Sequence, residues 1–342
     1  MTQTAQPIVH EGAKAKSLRS NLRRSITGKE LQSIALVPVI IAVAIIGNFI
    51  SPYFLTSSNI IGNVVAVSAA LGILVIAESI ILISGFFDLS LESTVGFSVM
   101  VLCVALGAGL PLWLGTLVAV GIAVAIGLFN GLMVAVLRLN AFIVTLAMLI
   151  LIQGFTLGFS NGVTYTNIPD FILFFGTASV FGIPIQAVLF VLMFTVSALF
   201  MRFTRTGRSI YAMGGNIEAA RAAGLKIRRL TMGLFVFGAL MAVLAGWMLA
   251  AKTAAATPNL GAGLIFTVFA AAVLGGIDLN GGRGSLIGAA LGVVLLSMIQ
   301  NILTLSNVPS FWINAAYGAI ILSALIVGRV SALASRMRRR KK

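Results

Sequence analysis

Histidine and cysteine each occur once in this sequence, as His10 and Cys103, and acidic residues number only eight. A single thiol forms no internal disulfide. A single histidine makes no His-based metal-ligand cluster, and because it is His10, in the polar N-terminal tail, no Ser/His/Asp arrangement for nucleophilic catalysis is expected. There is no GxxxxGK(S/T) phosphate loop, so the chain is not expected to hydrolyse ATP by itself. Charge of either sign is scarce: 9% of residues are Asp, Glu, Lys or Arg, against about a quarter in soluble domains. In its place stand 59% hydrophobic residues and 36 glycines. This composition excludes a water-soluble fold and indicates an integral membrane protein. The apolar runs are continuous rather than alternating, which argues for helices over strands, and at about 20 residues per span they accommodate about ten.

In chain order, spans are expected at residues 34–50, 60–83, 89–109, 112–137, 141–159, 184–203, 230–251, 262–277, 285–304 and 311–328, between basic tails at 1–33 and 329–342. No small-residue cleavage site follows the first apolar run before Ser51 and Pro52, so that run is read as a span and not a leader. His10 lies in the first tail, where a lone histidine is no metal site. Ten spans bring both tails to one side, and of the 23 Lys and Arg residues only Lys252 then falls on the other. The positive-inside rule makes the shared side cytoplasmic. The formal charge of +15 is thereby topology, and the terminal RMRRRKK suits anionic lipid headgroups rather than nucleic acid. The longest outer loop, 160–183, carries the apolar run FILFFG. It is expected at the membrane surface, either as a landing place for an external partner or as a plain interfacial loop. Cys103 falls inside a span and reads as core packing.

One long polar interval interrupts this pattern, residues 204–229, TRTGRSIYAMGGNIEAARAAGLKIRR. Gly214, Gly215 and Asn216 read as a turn, residues 217–223 as a short helix with Glu218 in its first turn, and Gly224 as its stop. So short a helix needs a surface to lie against. The residues from Glu218 to Gly224, EAARAAG, match an EAA-x-x-x-G pattern, and the runs GLFNGLMVAVLRLNAFIVTL, GLKIRRLTMGLFVFGALMAVLAGWMLAAK and VLGGIDLNGGRGSLIGAALG accompany it. In these the chain resembles the ribose-type branch of permeases of ATP-binding-cassette (ABC) importers, over most of its length after Ile60. The resemblance implies an all-α integral membrane fold of about ten helices, a type II importer-like permease whose EAA segment is a cytoplasmic coupling helix. It carries Gly215, Asn216, Glu218, Ala219, Ala220 and Gly224 over as residues that dock on a separate ABC ATPase subunit, which would hold ATP and Mg. This chain itself would bind no cofactor or metal and have no enzymatic activity. An extracytoplasmic substrate-binding protein, a second permease copy and membrane lipid are the other implied partners, in a bacterial inner membrane.

Two segments resemble each other, residues 85–90, GFFDLS, and residues 275–280, GGIDLN. Each places an aspartate, Asp88 or Asp278, after a glycine-containing break between spans, and such breaks build polar sites in transporters. The span count puts both toward the cytoplasm, which favours gating or packing over cargo contact. The family usually reads GGIDLSVG at the first segment; here Phe86 and Glu92 replace glycines. Glu78, inside the second span, must face protein or water, either to accept hydrogen bonds from cargo hydroxyls or to make a structural contact. Asn130, Thr145, Gln153, Thr156, Gln300, Asn301 and Asn314 are uncharged polar candidates, a class that often bonds helix to helix. The reading is an importer subunit for a sugar or sugar-like polyol. Alternatives are a nucleoside, a furanone signal or a branched-chain amino acid as cargo, or a stand-alone secondary transporter, against which the docking-like 204–229 segment stands.

Overall fold

The computed structural model describes residues 36–309 together with residues 312, 313, 315, 316, 318, 319 and 322. Both basic tails, His10 and most of the expected span 311–328, Asn314 included, lie outside the described residues. The helices are α1 (Leu36–Ile50), α2 (Ala69–Ile83), α3 (Ser90–Gly107), α4 (Leu112–Ala135), α5 (Ala141–Ser160), α6 (Asp170–Thr177), α7 (Ile185–Phe203), α8 (Arg205–Gly215), α9 (Ile217–Ala222), α10 (Ile227–Thr253), α11 (Leu264–Leu274) and α12 (Leu286–Leu305). A π-helical turn, Asn59–Val65, precedes α2, and a two-stranded hairpin, β1 (Ser179–Val180) with β2 (Ile183–Pro184), precedes α7.

Helices α3, α4, α5, α7, α10 and α12 are long and apolar enough to cross a membrane, and the π-helical turn with α2, bent by 48°, makes a seventh if counted as one span. The expected span 262–277 is instead the 11-residue α11. At 1.5 Å per residue it is ~16 Å long, about half the hydrocarbon thickness.

Helix α2 is apolar on every face apart from Glu78 and Ser79, so it has no face suited to water. Every residue in it except Leu71 is buried, and it touches α7, α8, α10, α11 and α12. Helix α10 packs across α4 at close range because α4 offers Gly127 and Gly131, one turn apart. A Cβ on either would come within 2.7–2.8 Å of the α10 backbone at Phe235, Val236 or Met232. Small residues four apart are the usual means of such approach in membranes.

The polar interval folds into two helices rather than one. Thr204 caps α8 by accepting from the Gly207 amide at 2.9 Å, and Gly207, Ile210 and Met213 form its buried face. Gly214 and Gly215, expected in a turn, close α8, because a turn-prone glycine is tolerated where backbones must meet. The reversal falls on Asn216 alone, with φ −163° and ψ 106°.

Three distant segments join there without side chains between them. The Gly282 amide donates to the Ile83 carbonyl at 2.7 Å. A Cβ on Gly214 would run into that carbonyl and stand 2.5 Å from the Gly282 nitrogen, and one on Gly281 would stand 2.8 Å from Gly85 Cα. The Tyr211 hydroxyl donates to the Gly284 carbonyl at 2.9 Å. The ends of α2, α8 and α11 therefore lie on one face of the protein. At the other face Tyr165 pairs with Ala256, and α6 packs its Phe171 edge-on against Trp247 at 5.3 Å.

Gly214→Ala should therefore destabilise the detergent-solubilised protein by about 1–3 kcal/mol, the usual cost of overpacking. Gly215→Ala, where an added Cβ meets nothing within 4 Å, should shift stability by less than about 0.5 kcal/mol. Thermal unfolding midpoints compare the two; equal midpoints would mean that the junction yields freely.

Candidate functional site

Helix α2 ends in a glycine-stopped turn: the Gly85 amide bonds to the Leu82 carbonyl and the Phe86 amide to the Ile81 carbonyl, with Gly85 at φ +88°. Residues 86–89 then run back between the helices without helical structure, and α3 starts only at Ser90. This places Asp88 beside Gly238, near the middle of α10, where a Cβ would stand 3.9 Å from Asp88 Oδ2. Asp88 is thereby enclosed by protein instead of standing in an open loop. The chain re-enters the helix bundle after the turn, so its position is not that of a loop between two complete spans.

The buried Asp88 nucleates a polar network. Its Oδ1 accepts from the Ser90 amide at 3.0 Å and from the Ser90 hydroxyl at 2.6 Å. Ser90 Oγ in turn accepts from Asn130 Nδ2 of α4 at 2.8 Å. The Asp88 amide donates to Glu78 Oε1 of α2 at 3.3 Å. Thr145 of α5 donates to the Ala141 carbonyl at 2.8 Å and also lies 3.5 Å from the Phe87 carbonyl. Four sequence candidates, Glu78, Asp88, Asn130 and Thr145, are thus brought together, each no more than 1% exposed. Among the described residues the one ion pair is Arg221 with Glu218, so neither buried carboxylate has a cation beside it. Glu78 Oε2 and Asn130 Oδ1 have no hydrogen-bond partner. Orphaned acceptors of this kind are costly in an apolar interior and are suited to receive a hydroxyl or a water.

Asp278 repeats the local chemistry in a less buried setting. Its Oδ1 accepts from the Asn280 amide at 3.0 Å and from Asn280 Nδ2 at 3.1 Å, the same side-chain turn two residues on. The Gly276 and Ile277 amides close α11 as Gly85 and Phe86 close α2. One residue separates Gly276 from its aspartate, where two separate Gly85 from Asp88. Asp278 is half-buried in the α11–α12 connection, its amide on the Arg283 carbonyl at 3.1 Å, and does not join the Asp88 network.

Helix α9 is built as a compact knob. Asn216 Oδ1 accepts from the Ala219 amide at 2.9 Å at its start. At its end the Gly224 amide bonds to the Arg221 carbonyl and the Leu225 amide to the Ala220 carbonyl, with Gly224 at φ +83°. Glu218, Ala219, Ala222 and Ala223 are exposed, whereas Ala220 is buried in the domain's own core. The exposed methyls of α9 and its C-cap are therefore Ala219, Ala222 and Ala223, and Ala220 holds the knob down.

A second polar cluster lies about a small cleft lined by Glu92, Ser93, Gln153, Thr156, Pro258, Asn259, Leu260 and Ala262. Glu92 Oε2 accepts from the Ile265 amide at 3.0 Å and so caps α11 across the bundle. The sequence had marked Glu92 only as a departure from a glycine; its partner is 173 positions away, beyond any local signal. Asn301 exchanges amide bonds of 2.8 and 3.2 Å with Asn59 and serves as helix-to-helix glue. Cys103 is buried among Val99, Leu102 and Ile172, as core packing. No group of three or more His, Cys, Asp or Glu that could hold a metal occurs among the described residues.

The arrangement offers noncovalent contacts for a polar cargo and an exposed handle for a partner. Comparison with known proteins gives it a family. The profile described as branched-chain amino acid transport system / permease component matches residues 60–329. The chain is 29% identical over 297 residues to the ribose import permease protein RbsC of Escherichia coli K12, covering 86% of this chain and 92% of that one. It is 34% identical over 275 residues to the L-arabinose ABC transporter permease protein AraH of Azospirillum brasilense, covering 80% and 81%. With the autoinducer 2 import system permease protein LsrC of Enterobacter sp. 638 it shares 33% over 293 residues, covering 85% and 84%. The re-entrant segment and the α9 knob both lie inside the matched region, and the chain belongs to this family of transport-system permease components.

Proposed function

We propose that this chain is the membrane-spanning subunit of an ATP-driven importer for a sugar or sugar-like polyol in a bacterial inner membrane. The single observation that carries the reading is the knob α9, exposed on one face and tied through α8 and Gly214 to Ile83 and Gly282. A self-sufficient carrier has no need of such a handle. Ribose, arabinose and autoinducer 2 in the relatives' names favour polyhydroxylated cargo. The family description favours a branched-chain amino acid as the second reading.

In this reading α9 docks on a separate ATPase, which holds ATP and Mg. A binding protein delivers cargo at the opposite face, near Tyr165 and Ala256. A second permease copy completes the pathway, so each lining residue occurs twice about a two-fold axis. Closure of the ATPase pair displaces α9, and backbone contact at Gly214, Gly282 and Gly85 carries the displacement to residues 86–89. Asp88 and Ser90 then move relative to Glu78 and Asn130, switching access between two states. Arg138, Arg202, Arg205, Arg208, Arg228, Arg229 and Arg283 belong to the face that carries α9, which the positive-inside rule makes cytoplasmic. A reporter inserted near Asn167 should accordingly read as external and one after Lys342 as cytoplasmic; the reverse would overturn this orientation.

Docking is tested by Ala219→Asp and Gly224→Val, with the ATPase subunit recovered from detergent at matched membrane abundance. Ala219→Asp puts a charge on the exposed face. Gly224→Val has room for its side chain but strains a left-handed backbone by about 1–2 kcal/mol. Recovery should fall by about tenfold, the equivalent of roughly 1.4 kcal/mol, and uptake should be lost with it. Normal recovery and uptake in both would remove the docking role. Ala220→Asp is the poorer probe, since Ala220 is 5% exposed and the change would disturb packing first.

For the buried network, Glu78→Gln preserves shape and removes one acceptor's charge. If the network meets cargo, uptake should drop by tenfold or more while ATPase recovery is unchanged, taking about 1.4 kcal/mol as the worth of one good contact. Unchanged uptake returns Glu78 to a structural role.

A further inference from the structure

We propose that the corner between α7 and α8 holds an anionic phospholipid, its phosphate on Arg202 and Arg208 and its acyl chains along the exposed face of α7. The inference requires only that α7 crosses the membrane; neither the cargo nor the ATPase enters it.

The corner gathers positive charge that the protein does not answer. Arg202, Arg205 and Arg208 all stand exposed in the stretch 202–208, which holds no acidic residue. Two of them are held on one residue. Arg202 lies over the Phe203 ring, with Cζ 5.6 Å from its centroid, a cation–π placement that keeps the guanidinium at the helix end. Across the break at Thr204, Arg208 Nη1 donates to the Phe203 carbonyl at 3.2 Å. Among the described residues the one ion pair is Arg221 with Glu218, so no carboxylate neutralises any of the three. A guanidinium carries five N–H donors in a planar fork. Arg208 spends one on the carbonyl, and the remainder, with those of Arg202, match the oxygens of a phosphate.

The surroundings select a lipid phosphate over a dissolved one. Leu192, Val196, Leu199 and Phe203 are exposed and recur at helical spacing along one face of α7, a stripe that ends at the arginines. Acyl chains lying on this stripe place their own head group at Arg202 and Arg208. The phosphate is then tethered, and its effective concentration exceeds that of a free anion. An acidic protein surface would meet the arginines but leave the stripe, which lies within the span, to other molecules. The site also bears on the junction described above: α8 begins at this corner and ends at Gly214, packed against Ile83 and Gly282. The lipid thus steadies the near end of a helix whose far end meets α2.

The test is native mass spectrometry of the full chain released from vesicles of phosphatidylcholine and phosphatidylglycerol in equal amounts. Phosphatidylglycerol should stay bound in preference to phosphatidylcholine by about tenfold, at the usual worth of surface arginines against anionic lipid. Arg202→Gln with Arg208→Gln should abolish the preference. Arg228→Gln with Arg229→Gln, which removes as much charge from the same face, should leave it intact. Arg202→Gln alone should cut it by about fivefold, which keeps the proposal testable if the double change impairs insertion. Glycerol 3-phosphate, an anion without chains, should not displace the lipid. Equal retention of the two lipids, equal loss in both double variants, or displacement by glycerol 3-phosphate would each overturn the site. So would an unchanged preference in the Arg202 and Arg208 variant accompanied by lost recovery of the ATPase, which would assign these arginines to a protein surface.

Discussion

Hydrocarbon offers no hydrogen bonds, so every polar group inside the bundle must find its partner within the protein. The non-helical residues 86–89 violate the simplest solution, which is a continuous helix, and the rest of the structure is arranged to meet the resulting demand. Glu78 takes the Asp88 amide, Ser90 satisfies the Asp88 carboxylate, and Asn130 reaches across to Ser90. For Asn130 to reach, α4 has to stand close to the bundle, and Gly127 and Gly131 permit that on the α10 side. The network and the close helix packing are therefore one device. The acceptors it leaves over, on Glu78 and Asn130, have no hydrogen-bond partner within the protein.

Much of this was legible in the sequence. Apolar runs located the helices because lipid and core select the same side chains. The Asn216 start and the Gly224 stop of α9 were readable because caps are local chemistry, decided within four residues. Glu78 and Asp88 stood out because a carboxylate between apolar spans needs a reason.

The parts that were not legible depend on contacts distant in sequence. The burial of Asp88 is set by α10, and the partner of the Glu92 carboxylate by the amide of Ile265. Helix α8 was hidden by its polarity and by Gly207, Gly214 and Gly215, which weigh against a helix locally but are required where α8 meets Met201, Ile83 and Gly282. Ala219 and Ala220 are equivalent in composition, and only the packing of α9 on the domain separates the outward methyl from the inward one.

Helix α2 has a further consequence. With all but one of its residues enclosed by five other helices, it is the least free element of the bundle to shift, and its two ends are where the backbone is least constrained by helix packing. One end is the 48° break after the π-helical turn, a pivot that ties to α12 through Asn59 and Asn301. The other is Gly85, a swivel with no side chain. In the importer reading proposed above, a fixed helix with a joint at each end would let access change at either face without unpacking the centre, at little exchange of buried surface.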